Sequence, residues 1–112
     1  MRLAHLNLSI VDLDAALRFY RDLLGLTVLP RPAGLAREGA WLSLGGGIEL
    51  HLSIDADSDN ARSKRHVAFE VKDLDHWRAR LVEAGYSIDD RLAERRLFVR
   101  DPAGNRIELY AT

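Results

Sequence analysis

The chain reads as an α+β fold built from two copies of one βαβββ module. Three observations predict this. HLNLSIVDLD at 5–14 returns as HVAFEVKDLD at 66–75, the tripeptide IEL occurs at 48–50 and again at 107–109, and strand and helix patterns follow one another in the same order in both halves. A length of 112 residues with 47% apolar composition suits one compact core better than two independent domains. We therefore expect a single domain over 1–112, with module 1 at 1–54, a connection at 55–64 and module 2 at 65–112.

Residues 3–10 alternate, with Ala4, Leu6, Leu8 and Ile10 on one face and His5, Asn7 and Ser9 on the other, which is the pattern of a half-buried strand. A helix follows. Asp12 or Asp14 can cap it, Leu13, Ala16, Leu17, Tyr20 and Leu23 recur at helical spacing, and Gly25 suits the left-handed residue that ends it. Short strands are expected near 26–30, 40–44 and 47–54. Module 2 repeats the sequence of events: a strand at 66–71, a helix with Leu74, Trp77, Leu81 and Ala84 on one face and Gly85 at its end, then strands near 86–89, 95–100 and 106–111. DADSDNARSK at 55–64 is polar and aperiodic and reads as an exposed, unpacked connection. DPAG at 101–104 is a turn signature that leads into the last strand.

Composition narrows the function classes. A net charge of −1 and a pI near 6.4 offer no general attraction to nucleic acid or to an anionic membrane surface, and no window approaches the length of a bilayer span. We expect a cytoplasmic protein whose partner is a small molecule. With no cysteine, disulfides, thiolate metal sites and a cysteine nucleophile are excluded, so any catalysis uses oxygen and nitrogen groups.

Side chains on a strand alternate with period two, so parity sorts the faces. Ile48, Leu50, Leu52 and Ile54 share the apolar side of their strand, opposite Glu49, His51 and Ser53. Val67, Phe69 and Val71 oppose His66, Ala68 and Glu70; Ile107, Leu109 and Ala111 oppose Arg106, Glu108 and Tyr110. Each of His5, Glu49, His66 and Glu108 thus points away from the core. Such faces can simply meet water, as one side of an antiparallel sheet ordinarily does. A matched imidazole and carboxylate in each module argues for more. If the four groups converge, two crowded carboxylates repel unless one holds a proton, and a divalent metal removes that difficulty by taking neutral imidazole and ionised carboxylate directly.

The segments HLNLSIVDLDAALRFYRDLLGL, IEL, HVAFEV and DPAGNRIEL resemble the vicinal oxygen chelate superfamily, which includes glyoxalase I, fosfomycin-resistance proteins, extradiol dioxygenases and bleomycin-resistance proteins. The resemblance spans almost the whole chain. It implies a glyoxalase-like fold in which paired modules form a cupped mixed sheet around a metal, commonly in a homodimer. It places the metal ligands on His5, Glu49, His66 and Glu108, makes Glu49 and Glu108 the candidate catalytic bases, and implies a substrate with adjacent oxygens that a Zn, Ni, Mn or Fe(II) ion holds. The expected activity is of lyase, isomerase or dioxygenase type. Ser9 and Ser53 stand where glyoxalase I proteins carry glutathione-binding Arg and Asn, so glutathione-dependent glyoxalase activity is not expected. Asn7 replaces the Thr usual in fosfomycin-resistance members. The alternative implied by the same resemblance is a bleomycin-resistance-type protein that sequesters a small molecule without catalysis.

The remaining candidates line the same faces. His51 shares the parity of Glu49 and can ligate, transfer protons or only line the cleft. Asn7, His51, Phe98, Arg100 and Tyr110 are the expected substrate-binding residues, Phe98 as an apolar wall and Tyr110 as a hydroxyl donor. Arg96, Arg100 and Arg106 can grip an anionic substrate by bidentate hydrogen bonds, against ordinary surface placement for most of them. His76 reads as exposed, and Trp41 and Trp77 as packing residues.

Overall fold

The computed structural model describes residues 1–35, 38–90 and 95–112. The chain divides into two compact units, Met1–Ser58 and Asp59–Thr112. Each contains one four-stranded mixed sheet and one principal helix.

In the first unit β1 (His5–Ile10) is followed by α1 (Leu13–Leu17), β2 (Val28–Leu29), β3 (Gly39–Gly45) and β4 (Ile48–Ile54), with sheet order β1-β4-β3-β2. β1 runs parallel to β4 and the other pairs are antiparallel. The side chain of Asp12 caps α1 by accepting from the Ala15 amide at 3.0 Å. Beyond Leu17 the helix widens over Arg18–Leu23, where the Leu24 amide donates to the Phe19 carbonyl, five residues back, at 2.9 Å. The apolar spacing predicted a regular helix through Leu23, with Tyr20 on its inner side and Phe19 off it. A wider turn rotates successive side chains less, and it brings both Phe19 and Tyr20 to full burial, edge to face at 4.9 Å. Ile10, Leu42, Leu50 and Leu52 supply the sheet's share of this core, each worth about 1.5–3 kcal/mol of transfer free energy when fully buried.

The second unit repeats the plan with β5 (His66–Glu70), α2 (Leu74–Glu83), β6 (Ile88–Asp89), β7 (Arg96–Arg100) and β8 (Arg106–Tyr110), in the order β5-β8-β7-β6. β5 is parallel to β8. Asp73 caps α2 through the His76 amide. Its end is a regular reverse cap: the Tyr86 amide reaches the Leu81 carbonyl and the Gly85 amide the Val82 carbonyl, both at 3.0 Å, and Gly85 takes φ +93°. Leu81, Leu97, Ile107 and Leu109 are buried beneath the sheet's apolar face.

Two expectations are corrected. The second strand of each module is two residues long rather than four or five, because only that short stretch finds a partner on β3 or β7. The connection at 55–64 is not wholly unpacked. Asn60–Arg62 form a short helical turn, Asn60 is 7% exposed, and its amide donates to the Ala103 carbonyl. Gly104, at φ +89°, lies so close to Ala61 that a Cβ would meet its amide nitrogen at 3.1 Å, so the turn that leads into β8 and the start of the second unit are fitted to each other. Among the described residues no helix is long and apolar enough to cross a membrane.

Candidate functional site

On the polar face of the first sheet, the register sets His5 directly opposite Glu49, Asn7 opposite His51 and Ser9 opposite Ser53. β3 adds Trp41 opposite His51. The His51 ring is sandwiched between two others, 4.0 Å from His5 at an interplanar angle of 11° and 4.1 Å from Trp41 at 3°. Its Nε2 lies 2.8 Å from Glu49 Oε1. A carboxylate oxygen accepts, so Nε2 carries the proton and holds that oxygen in place. Trp41 was expected to be a packing residue, with no side of the sheet assigned. It packs on the polar face, because Ala40 and Leu42 take the buried positions of β3 and leave Trp41 to the other side.

The stack also decides what His51 can do. Imidazole lone pairs lie in the ring plane, and two nearly parallel rings about 4 Å apart cannot both aim theirs at one ion about 2 Å away. In this arrangement His51 and His5 are not ligands of the same cation. His51 is a holder of Glu49. Asn7 Oδ1 accepts from the Ser53 hydroxyl at 2.7 Å, which places it one step farther along the same face.

In the second unit the register differs. His66 stands opposite Arg106, and Glu108 opposite Ala68, so the carboxylate lies two residues farther along its strand than Glu49 does relative to His5. The side chains still meet: His66 Nε2 is 3.5 Å from Glu108 Oε1. His66 Nδ1 is 3.0 Å from the Lys64 carbonyl, which can only accept, so Nδ1 bears the hydrogen and the Nε2 of a neutral ring faces Glu108 with its lone pair. Glu108 is 7% exposed and also lies 3.6 Å from Arg96 Nη1. Phe98 meets the His66 ring edge-on at 5.6 Å and carries the Arg106 guanidinium over its face at 3.8 Å.

Residues 2–109 match the family profile described as the Glyoxalase/Bleomycin resistance protein/Dioxygenase superfamily. The chain belongs to that superfamily. Its sequence is 29% identical over 126 residues to the Arabidopsis thaliana protein named Glyoxylase I 4, covering 96% of this chain and 68% of that one. Among solved structures, a Bacillus anthracis protein assigned to the glyoxalase family shares 28% identity at a TM-score of 0.83, covering 100% of this chain and 95% of that one. A variant of the fosfomycin resistance protein FosX from Listeria monocytogenes, in complex with Mn(II), superposes at a TM-score of 0.84 with 18% identity over 98% of this chain and 91% of that one. The last likeness is one of fold.

As a superfamily member, the chain can be tested for its fitness to hold a metal on its own geometry. Two ligands of one ion, each about 2.0–2.2 Å from it, stand about 3.0–3.4 Å apart. His66 Nε2 and Glu108 Oε1, 3.5 Å apart, are close to that separation. The backbone carbonyl on the far nitrogen of His66 is the support that metal-bound imidazoles usually have. In the first unit, His5 takes part in no hydrogen bond among the described residues, and the Glu49 side chain, 36% exposed, has only Oε1 engaged by His51. The donor chemistry fits. Among the described residues, no group of three or more His, Asp or Glu side chains stands gathered as a ready ligand set.

The other expected substrate-binding residues are placed as follows. Tyr110 donates its hydroxyl to Glu70 Oε2 at 3.4 Å. Arg100 lies at the end of β7 and directs Nη1 at the carbonyls of Asn60, Ser63 and Gly104, at 3.2, 2.9 and 3.1 Å; that nitrogen braces the start of the second unit against the turn before β8. Trp41 was not singled out from the residue pattern as a site residue, and Arg106 only as one of three arginines able to grip an anionic substrate. Parity alone puts Trp41 with Ser43 on the polar side, but its partner depends on a register that joins three strands. Arg106 acquires its place from Phe98, on a neighbouring strand.

Proposed function

We propose that this protein is metal-dependent, that His5, Glu49, His66 and Glu108 hold a Zn, Ni, Mn or Fe(II) ion, and that it acts on a small substrate with adjacent oxygens by lyase, isomerase or dioxygenase chemistry. The observation that carries the reading is the approach of His66 Nε2 to Glu108 Oε1 at 3.5 Å, with His66 Nδ1 turned to the Lys64 carbonyl. The Mn(II) complex of the FosX variant supports it at the level of the fold. When bound, a divalent cation supplies Lewis acidity that stabilises negative charge developing on a substrate oxygen. Glu49 is the more accessible base: His51 fixes Oε1, and Oε2 is left to accept a proton. Glu108, buried beside Arg96, is the second. Ser9 and Ser53 offer hydroxyls where a glutathione carboxylate calls for charge, so the reading excludes a glutathione conjugate as substrate. Assembly as a homodimer and a cytoplasmic location complete the reading.

Elemental analysis of freshly purified protein, followed by melting curves with added Ni(II), Zn(II), Mn(II) or Fe(II), tests it. The expected result is retained divalent metal and a melting temperature that rises with at least one ion, since selective binding to the folded state stabilises it. No retained metal and no shift with any ion overturns it. A second reading is a protein that sequesters a small molecule without catalysis. It takes over on that outcome.

A further inference from the structure

We infer that the second unit carries an oxyanion subsite beside its imidazole–carboxylate pair, so that the substrate bears a carboxylate in addition to its adjacent oxygens. The inference rests on the proposed metal reading for where the remainder of the substrate sits, and on the second unit alone for the subsite itself. A cleft of about 590 Å³ opens there, lined by Lys64, Ser87, Asp89, Phe98, Arg100 and Arg106 among others. Its lining carries three basic residues and one acidic one. Arg100 has one guanidinium nitrogen directed at backbone carbonyls, whereas among the described residues no hydrogen bond or ion pair occupies the N–H groups of Arg106 or the ammonium of Lys64.

Arg106 is the centre of the argument. The Arg106 guanidinium carbon lies 3.8 Å from the centre of the Phe98 ring, and the N–H edge of that group carries no hydrogen bond among the described residues. That edge is the geometry that receives a carboxylate with two parallel hydrogen bonds. The same residue stands directly opposite His66 across the β5–β8 pair, and Phe98 links the two by touching His66 edge-on at 5.6 Å. Lys64, whose carbonyl lies 3.0 Å from His66 Nδ1, lines the same cleft. A cationic wall one ring's width from the ligand pair selects a molecule that presents adjacent oxygens at one end and an acid group at the other. Ser87 and Asp89 complete the polar lining.

Catechol and protocatechuate make a matched pair of probes, with identical adjacent oxygens and differing in one carboxylate. Calorimetric titration of each into the full chain, with and without added Mn(II), is expected to show protocatechuate binding about tenfold tighter in both conditions. Arg106→Gln and Lys64→Gln are each expected to bring the ratio of the two affinities close to one. If Arg106→Gln fails to fold for want of its stack, Lys64→Gln decides, since its exposed side chain supports no described contact. Equal affinities in the unaltered protein, a preference that survives both substitutions, or no detectable binding of either probe overturns the inference. A carboxylate preference that persists while Mn(II) tightens neither probe upholds the subsite and defeats the metal reading, which separates the two.

Discussion

The two halves of this chain hold the same pair of groups, an imidazole on the first strand and a carboxylate on the last, and they support them differently. In the first unit His5 and Glu49 are direct cross-strand partners, and the carboxylate is steadied from the side by His51, itself held between His5 and Trp41. In the second unit the carboxylate lies two residues farther along, Arg106 takes the place opposite the histidine, and support comes to the histidine from the Lys64 backbone. The duplicated sequence preserved chemistry without preserving register. What has been kept is a donor pair on one face of a sheet, and several neighbours can hold it there. The exchange of Glu for Arg opposite the histidine gives the second unit a cation at the place where the first has a carboxylate.

The comparison can be broken first at the cores. Phe19→Ala is expected to cost about 3–5 kcal/mol and Leu81→Ala about 2–5 kcal/mol, read by chemical denaturation, because both side chains are fully buried despite the different helix geometry above them. A cost below about 1 kcal/mol for Phe19→Ala means that the widened turn of α1 is not a packing device.

Next in size is the metal. Glu49→Gln and Glu108→Gln are each expected to lower Mn(II) affinity by about 100-fold or more, measured by calorimetry, since both remove an ionised ligand. A large loss with one and none with the other breaks the equivalence of the halves. Smaller effects sharpen the difference in support. Trp41→Ala and His51→Gln are expected to weaken Mn(II) binding about tenfold by releasing Glu49, as loss of outer partners commonly does. Tyr110→Phe, which removes only the 3.4 Å bond to Glu70, leaves that affinity unchanged.

The smallest effect lies outside both sites. The Arg21 guanidinium, hydrogen-bonded to Asp22, holds that carboxyl below the usual carboxylate range. A depressed folded value stabilises above the ordinary carboxylate pKa and loses the contribution as pH falls through the folded one. Asp22→Asn therefore lowers the melting temperature slightly near neutrality, and the difference closes in strong acid.

Much of this arrangement was legible in the residues. The alternation in 3–10, 48–54, 66–71 and 106–111 marked the strands, which run over His5–Ile10, Ile48–Ile54, His66–Glu70 and Arg106–Tyr110, together with their polar faces, and Asp12, one of the two expected caps, starts its helix. What was not legible depends on distant pairing. The wide turn at 18–23 answers to burial of two adjacent aromatic residues, and neither has an unusual local propensity. The His5–His51–Trp41 stack needs the register of β1, β4 and β3 together. Parity revealed that Glu49 and Glu108 share a face with their histidines. It could not reveal that one is a direct neighbour and the other lies two residues on, because a shift of two leaves every side chain on the same face.

The central claim is that both imidazoles serve one divalent ion, and X-ray absorption on the Mn(II)-loaded protein, with calorimetric stoichiometry, tests it most directly. The account predicts one ion for each copy of the His5, Glu49, His66 and Glu108 set, two imidazole nitrogens in its coordination shell, and loss of one nitrogen with tighter binding abolished in either His5→Ala or His66→Ala. An oxygen-only shell, or an ion whose spectrum and affinity are the same in both variants as in the unaltered chain, would contradict it.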